Sequence, residues 1–475
     1  MIPWLHAGPA CWMDWFSRDG KLRQGRNMNL PLSFAAVFLL VLPLIAQDNH
    51  QLKPDASLFD EINRIKAIDN HSHPPALDNA GQPDDDYDAL PCDPLEPTAA
   101  GLMFRDDNPV YIKAWKAMFG YKYDDATPEH VKELVAAKEQ VKQKEGENYP
   151  NWVLDQLGIE SELANRVAMG RGLEPPRFRW VPFDDTLLFP LNNSSLAAQS
   201  PDRKIFYGRE ELVFARYLNQ LNLTGVPPTL ADYTAKLVTP LLELQRKNGA
   251  VAIKFEAAYL RSLDFAPAKE ADAARVYARY FRGGVPSDAD YKTLQDYLFR
   301  YIAREAGRIG MAVHFHTGGG CGGYFAMEGS NPLLLDSVFN DPTLRKTNFV
   351  MLHGGAGGFE GLVAYLLMKP NVYADFSEQT WMTSPRHIAS SIRFMLEFYP
   401  EKVMFGTDLY PLEPQVNWEE TGYQTSTAGR TALALALTGM MLDGEITRQQ
   451  ASAIAHMVMH DNAAKLYGIS DVQSK

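Results

Sequence analysis

The chain has 475 residues, 46% of them hydrophobic, and a formal charge of −12. That is enough apolar material for one large domain or two ordinary ones, and too much for a disordered chain. The acidic balance excludes a general nucleic-acid binder, which needs a basic face, but leaves charged small molecules open, because charge inside a pocket can oppose the net charge.

Lys21, Arg23 and Arg26 precede an apolar run from Leu30 to Ile45, with polar Gln47 and Asp48 behind it. A basic stretch, an apolar stretch and a cleavage point after Ala46 read as an export signal, although Leu44 departs from the small-residue rule. Translation is expected to begin at Met28, so that residues 1–46 comprise an upstream extension and a signal peptide and the mature protein is periplasmic or extracellular. An uncleaved anchor is the competing reading, the run being slightly short for a bilayer span. In an oxidising compartment Cys92 and Cys321 could pair, but two distant cysteines do not define a disulfide.

Residues 47–57 read as a polar linker and residues 58–472 as one domain. Within it, β-like runs recur: IKAIDNH, SELANRVAM, FRWVPF, AVAIKFEA, MAVHFH, NFVMLH, NVYADFS and KVMFGTD. Helical patterns lie between them, at 230–247, 288–307, 358–368 and 386–398 among others. About eight such alternations predict an α/β fold with a parallel sheet, closed as a (β/α)8 TIM-type barrel rather than open and doubly wound. No GxGxxG follows the first strand, which removes the main support for a nucleotide-binding sheet. Residues 76–150, acidic and proline-rich and then helical, break the alternation and are expected as an insertion near the barrel mouth, with a second at about 184–226.

On a strand, residues two apart share a face, so His71 and His73 project together where Pro74 stops the first ladder. His314, His316 and His353 also fall at the ends of strand candidates, and FGTD puts Asp408 at the same level. In a barrel that level is the C-terminal mouth, where the chemistry is carried. Imidazole and carboxylate are ligands for Zn²⁺ and similar divalent ions.

The ordered set IDNHSH, MAVHFHTG, NFVMLHGG, NVYADFS and VMFGTD, with DNAAKLYGI behind it, resembles the amidohydrolase superfamily. The likeness is to its amidohydrolase-2 branch, which includes aminocarboxymuconate semialdehyde decarboxylase-like enzymes. LANRVAMGRG, FRWVPFDDTLLFP and VAIKFEAAY further resemble the amidohydrolase domains associated with glutamine-synthetase-like proteins. The resemblance implies that His71, His73, His316 and Asp408 hold a divalent metal, most simply zinc, and that His353 is catalytic alongside Asp408. His314, a layer deeper, is expected to be a hydrogen-bonded core residue. Some members carbamylate a strand-four lysine to bridge two metals; for Lys254 a substrate-carboxylate contact or an ion pair with Glu256 is preferred here. Arg166 and Arg171 are candidates for binding an acidic substrate, or else ordinary salt bridges. The glycines of HTGGGCGGYF and HGGAGGFEG lack the P-loop Lys-Ser/Thr pair and read as tight loops.

The function expected is hydrolysis of a C–N, ester or lactone bond in a small carboxylate-bearing substrate by metal-activated water. Non-oxidative decarboxylation at the same ligands is the alternative, a uronate-isomerase-like reaction a weaker one, and a non-catalytic exported metal- or ligand-binding protein the rival from another class. The partner expected is a small molecule, with no nucleic acid and no lasting membrane anchor once the signal is cleaved; a homo-oligomer is compatible with the sequence.

Overall fold

The computed structural model describes residues 52–77, 84–96, 101–105 and 107–470. The upstream extension, the export signal and residues 47–51 of the expected linker lie outside the described residues, as do 78–83, 97–100 and 106 of the expected insertion. The Asp55 side chain accepts from Leu58 N at 2.9 Å and starts a helix at Ala56–Arg64, inside the segment read as linker.

Among the described residues eight strands run in the expected places: β1 (Ala67–Ser72), β2 (Ile159–Asn165), β3 (Phe178–Val181), β4 (Ala252–Phe255), β5 (Ala312–Gly318), β6 (Phe349–Ala356), β7 (Val372–Asp375) and β8 (Val403–Met404). All pairings are parallel, in sheets ordered β1-β2-β3 and β4-β5-β6-β7-β8. Backbone hydrogen bonds join the two sheets at both edges. Val251 N donates to Trp180 O at 3.0 Å and Lys254 N to Pro182 O at 2.8 Å, and on the far side Asn70 N donates to Phe405 O at 3.0 Å and Asp408 N to His71 O at 2.7 Å. The ring therefore closes as a (β/α)8 barrel. Strands covered on both faces read as unbroken apolar runs, and every residue of β5 and β6 is buried.

The helices form where apolar residues recur at helical spacing behind a cap. Ser287 caps Asp288–Arg308, which buries Leu294, Leu298, Ile302 and Ala306. Asn417 and Glu420 form a reciprocal cap on Trp418–Leu442, whose LALALTGMML run is buried as a core helix from Leu433 through Met440, before its last residue, Leu442, reaches solvent. None of the described helices is long and apolar enough to cross a membrane.

Between β1 and β2 lie helices Pro109–Phe119, Pro128–Glu145 and Tyr149–Leu157. They carry an apolar cluster of their own, with Trp115, Tyr111 and Leu154 packed against Leu409, Val416 and Trp418. Trp115 Nε1 donates to Gln415 O at 3.0 Å, and buried Lys138 pairs with Glu420 at 2.8 Å. This block thus docks on the segment that follows β8. The second irregular stretch contains the helix Pro201–Gln220.

Candidate metal centre

β1 and β8 meet at the rim. His73 N donates to Leu409 O at 2.8 Å and Asp408 N to His71 O at 2.7 Å, which draws the end of each strand across the other. His71 Nε2 lies 3.1 Å from Asp408 Oδ1 and 3.3 Å from His73 Nε2, and His73 Nε2 lies 3.4 Å from the same carboxylate oxygen. Donors at zinc–ligand lengths of about 2.0–2.2 Å stand roughly 3.3–3.6 Å apart on a tetrahedron. Two edges of the triangle fall in that range and the third, at 3.1 Å, is slightly shorter, and its donors suit a divalent cation. His353 belongs to the same compact group, with donor atoms of His71, His353 and Asp408 all within 4.8 Å of one another. His316 lines the same cavity, its ring centroid 4.7 Å from that of His353, but stands outside that group. The Gly319 carbonyl takes its Nε2, so as a ligand it would use Nδ1.

Electrostatics favours ligand-competent rings. Burial, reinforced by Lys254, holds His71 well below its ordinary pKa of 6.5 and His316 down at about 3, and burial does the same to His353. These imidazoles are neutral. His73 differs: burial would lower it, but the Asp88 and Asp408 carboxylates carry it up to about 10. Burial likewise opposes ionisation of Asp408, yet His353, His71 and His73 hold it well below the usual carboxylate range.

The backbone is strained at this rim. The described non-glycine residues with positive φ are Asn222, His353 (67°), Glu378 (58°) and Asp408 (57°), and the last three line the cavity. Such a residue persists only where its surroundings over-determine it. At His353 the N–H donates to Asp375 Oδ1 at 2.8 Å and the carbonyl accepts from Gln379 Nε2 at 2.8 Å. The next residue, Gly354, has φ 55°, and a Cβ there would stand 2.7 Å from the Asp375 carbonyl, so glycine is required. His353 Nδ1 lies 2.9 Å from Ser377 Oγ, which itself donates to Asp375 Oδ1 at 2.7 Å. Asp375 Oδ2 accepts from Asn70 at 2.6 Å, Asn70 Oδ1 accepts from Tyr467 at 2.5 Å, and the Tyr467 hydroxyl meets His314 Nε2 at 2.8 Å. His314 is thus the far end of a buried polar chain that begins at His353, and its ring is fully buried.

Of the two readings open for Arg166 and Arg171, the structure favours salt bridges and corrects the substrate contact. Arg166 is fully buried and does not line the cavity. Its guanidinium grips both oxygens of Asp84 at 2.8 Å and donates to the carbonyls of Pro74 and Ala168, fastening the loop after β1 to the end of β2. Arg171 is half exposed and lies 3.6 Å from Glu147, away from the cavity. Lys254 does line it, fully buried, with Nζ 3.4 Å from His71 Nε2 and 4.0 Å from Glu256 Oε1.

The cavity has a volume of about 820 Å³, with Tyr259, Trp381 and Tyr410 among its walls and Arg105 as its other basic residue besides the histidines and Lys254. Asp88 and Glu378 also line it, and neither stands out in the sequence. Glu378 follows the end of β7 by three residues, so its place on the rim was the available signal. Asp88 sits in the acidic run DDDYD, whose path back to His73 depends on tertiary contacts. His73 Nδ1 is 3.2 Å from Asp88 Oδ2, and Glu378 Oε2 is 3.9 Å from His353 Nδ1. Cys92 and Cys321, both on the cavity wall, form a disulfide.

Residues 243–469 match the family model described as amidohydrolase, a segment that takes in β4 to β8 and with them His316, His353 and Asp408. No curated protein matches the chain. Glucuronate isomerase from Caulobacter crescentus is a similar solved structure, at 11% identity and a TM-score of 0.58, covering 90% of this chain and 97% of its own. Uronate isomerase from Thermotoga maritima follows at 12% and 0.52, covering 90% and 100%. A proposed metal-dependent hydrolase from Lactobacillus casei ATCC 334 stands at 14% and 0.53, covering 88% and 98%. At such identities the likeness is one of fold.

Proposed function

Because this chain belongs to the amidohydrolase superfamily, we propose that it is a metal-dependent hydrolase opening a C–N, ester or lactone bond in a small carboxylate-bearing substrate. The observation that carries the reading is the buried triangle of His71 Nε2, His73 Nε2 and Asp408 Oδ1, with edges of 3.1–3.4 Å, in a cavity of small-molecule size. These three would hold the cation, with His316 joining through Nδ1 and His353 within reach. A nitrogen-rich set with one carboxylate fits zinc.

A bound divalent cation lowers the pKa of water to about 7 and polarises a carbonyl. The chain's own groups do the rest. Asp408, ionised and fixed at its strained turn, accepts a proton at its carboxylate. His353, neutral and tethered through Nδ1 to Ser377, keeps Nε2 for carrying a proton to the leaving group. With Arg166 and Arg171 elsewhere, a substrate carboxylate would meet Lys254 in the interior or Arg105, and Trp381, Tyr259 and Tyr410 would pack its apolar part. We also infer export: the paired Cys92 and Cys321 add support to the N-terminal signal, since disulfides persist in oxidising compartments.

The test is elemental analysis of the purified chain followed by a panel of small amides, esters and lactones. Zinc with hydrolysis is expected, and His73→Ala should lose metal and activity together. Carbon dioxide without a hydrolysis product would replace hydrolysis by decarboxylation, and failure to hold any divalent cation would sink the reading.

A further inference from the structure

We propose that the cavity binds a second divalent cation, held by His73, Asp88 and Glu256. This rests on reading the cavity as a metal centre, and adds a site built partly from the loop after β1. One donor atom from each of the three side chains lies within 4.8 Å of the others, and they reach that point from the end of β1, from that loop and from the end of β4.

Grouped acids alone do not make a site; two further observations point to a ligand. Glu256 is only 5% exposed and lines the cavity, yet its Oε2 has no hydrogen-bond partner. Its other oxygen faces Lys254 at 4.0 Å, and its N–H donates to Asp185 at 2.8 Å, so the residue is firmly placed with one oxygen unmet. A buried acceptor left without a partner is costly unless something binds it. The second observation is at His73. Nε2 faces His71 and Asp408, while Nδ1, 3.2 Å from Asp88 Oδ2, makes no hydrogen bond of ordinary geometry. The ring offers one nitrogen to each group, as an imidazolate does when it bridges two cations; the two ring protons of the imidazolium would pass to solvent as the cations bind.

The two sites differ in chemistry. The first is rich in nitrogen, the second has one nitrogen and two carboxylates and accepts harder ions such as Mn²⁺ as well as Zn²⁺. The competing role for Asp88 is to orient His73 as an outer partner of a single metal, which is common around metal-bound histidines. Counting cations separates the two.

The full chain, stripped by a chelator and dialysed against ZnCl₂ or MnCl₂ alone, should hold two cations by elemental analysis. The paired substitution Asp88→Asn with Glu256→Gln should hold one, the weaker step in a calorimetric titration falling by more than the roughly 10–100-fold that loss of an outer partner alone costs. The cation retained at the first site doubles as evidence of folding, and Asp88→Asn alone, at a half-buried position, serves if the pair unfolds. A wild-type count of one, abolished by His71→Ala, overturns the second site and leaves the first standing. A count of one whose affinity drops in Asp88→Asn makes Asp88 a positioning residue for His73 and overturns the proposal equally. No cation at all removes both readings.

Discussion

His353, Glu378 and Asp408 hold left-handed backbone conformations that cost on the order of 1–3 kcal/mol each, and all three face one cavity. At His353 the cost is met by hydrogen bonds to Asp375 and Gln379, so the ring is aimed by its backbone as much as by its rotamer. His353→Ala should therefore abolish turnover by roughly 100-fold or more, the usual scale for a general acid or base, while metal content stays near wild type; loss of metal in that variant would make His353 a ligand instead. A second residue-scale outcome concerns Asp184, fully buried beside Gln245 with Oδ2 unpaired. Burial, and next to it Asp185, lifts its pKa from 3.8 to about 7. A raised carboxyl pKa favours the folded state at low pH, and that advantage is lost as pH rises through the folded value. Asp184→Asn, which cannot ionise, should gain thermal stability over the wild type between pH 4 and 7 and keep the gain above; an equal difference in melting temperature at pH 4 and pH 8 would contradict the assignment.

At the scale of one element, the loop 84–96 decides what the cavity contains. Arg166 clamps Asp84, Arg216 pairs with Asp86, and Cys92 is joined to Cys321 across 229 residues. In the chain-entropy account a link closing so long a loop is worth about 5 kcal/mol. Arg166→Met should lower the melting temperature, at the smaller end of the roughly 3–5 kcal/mol seen when a buried pair is broken, because Asp84 is a quarter exposed. If Asp88 serves the cavity, cation affinity should fall with it; an unchanged binding isotherm in Arg166→Met would show that the loop does not depend on the clamp. This loop is also where the sequence was least legible. The histidine pair and FGTD could be placed because strand period and strand ends are local properties. Arg166 was left between a substrate contact and a salt bridge because nothing local reveals that its partner is Asp84, 82 residues away in the chain.

For the whole molecule, the eight strands were visible as apolar runs, since a parallel sheet covered on both faces needs little polar alternation. Their ends were less so: β8 is reduced to Val403–Met404, because Phe405 already donates its N–H to Val458, and Pro182 ends β3 before the bridge from Phe183 to Lys254. Eight strand–helix alternations were enough to expect a closed barrel, but the pairings that close it lay beyond a linear reading, as they join segments hundreds of residues apart. Those pairings have a mechanical consequence. His71 and His73 belong to the three-stranded arc, His353 and Asp408 to the five-stranded one, and the arcs meet at the Asn70–Phe405 and His71–Asp408 contacts. An ion gripped by residues of both would act as a rivet through that joint, so its removal should loosen the wall locally before the protein melts. Deuterium uptake at the amides of Asn70, His73 and Asp408 should quicken on chelation, while the amides in the middle of β5 and β6 keep their pace.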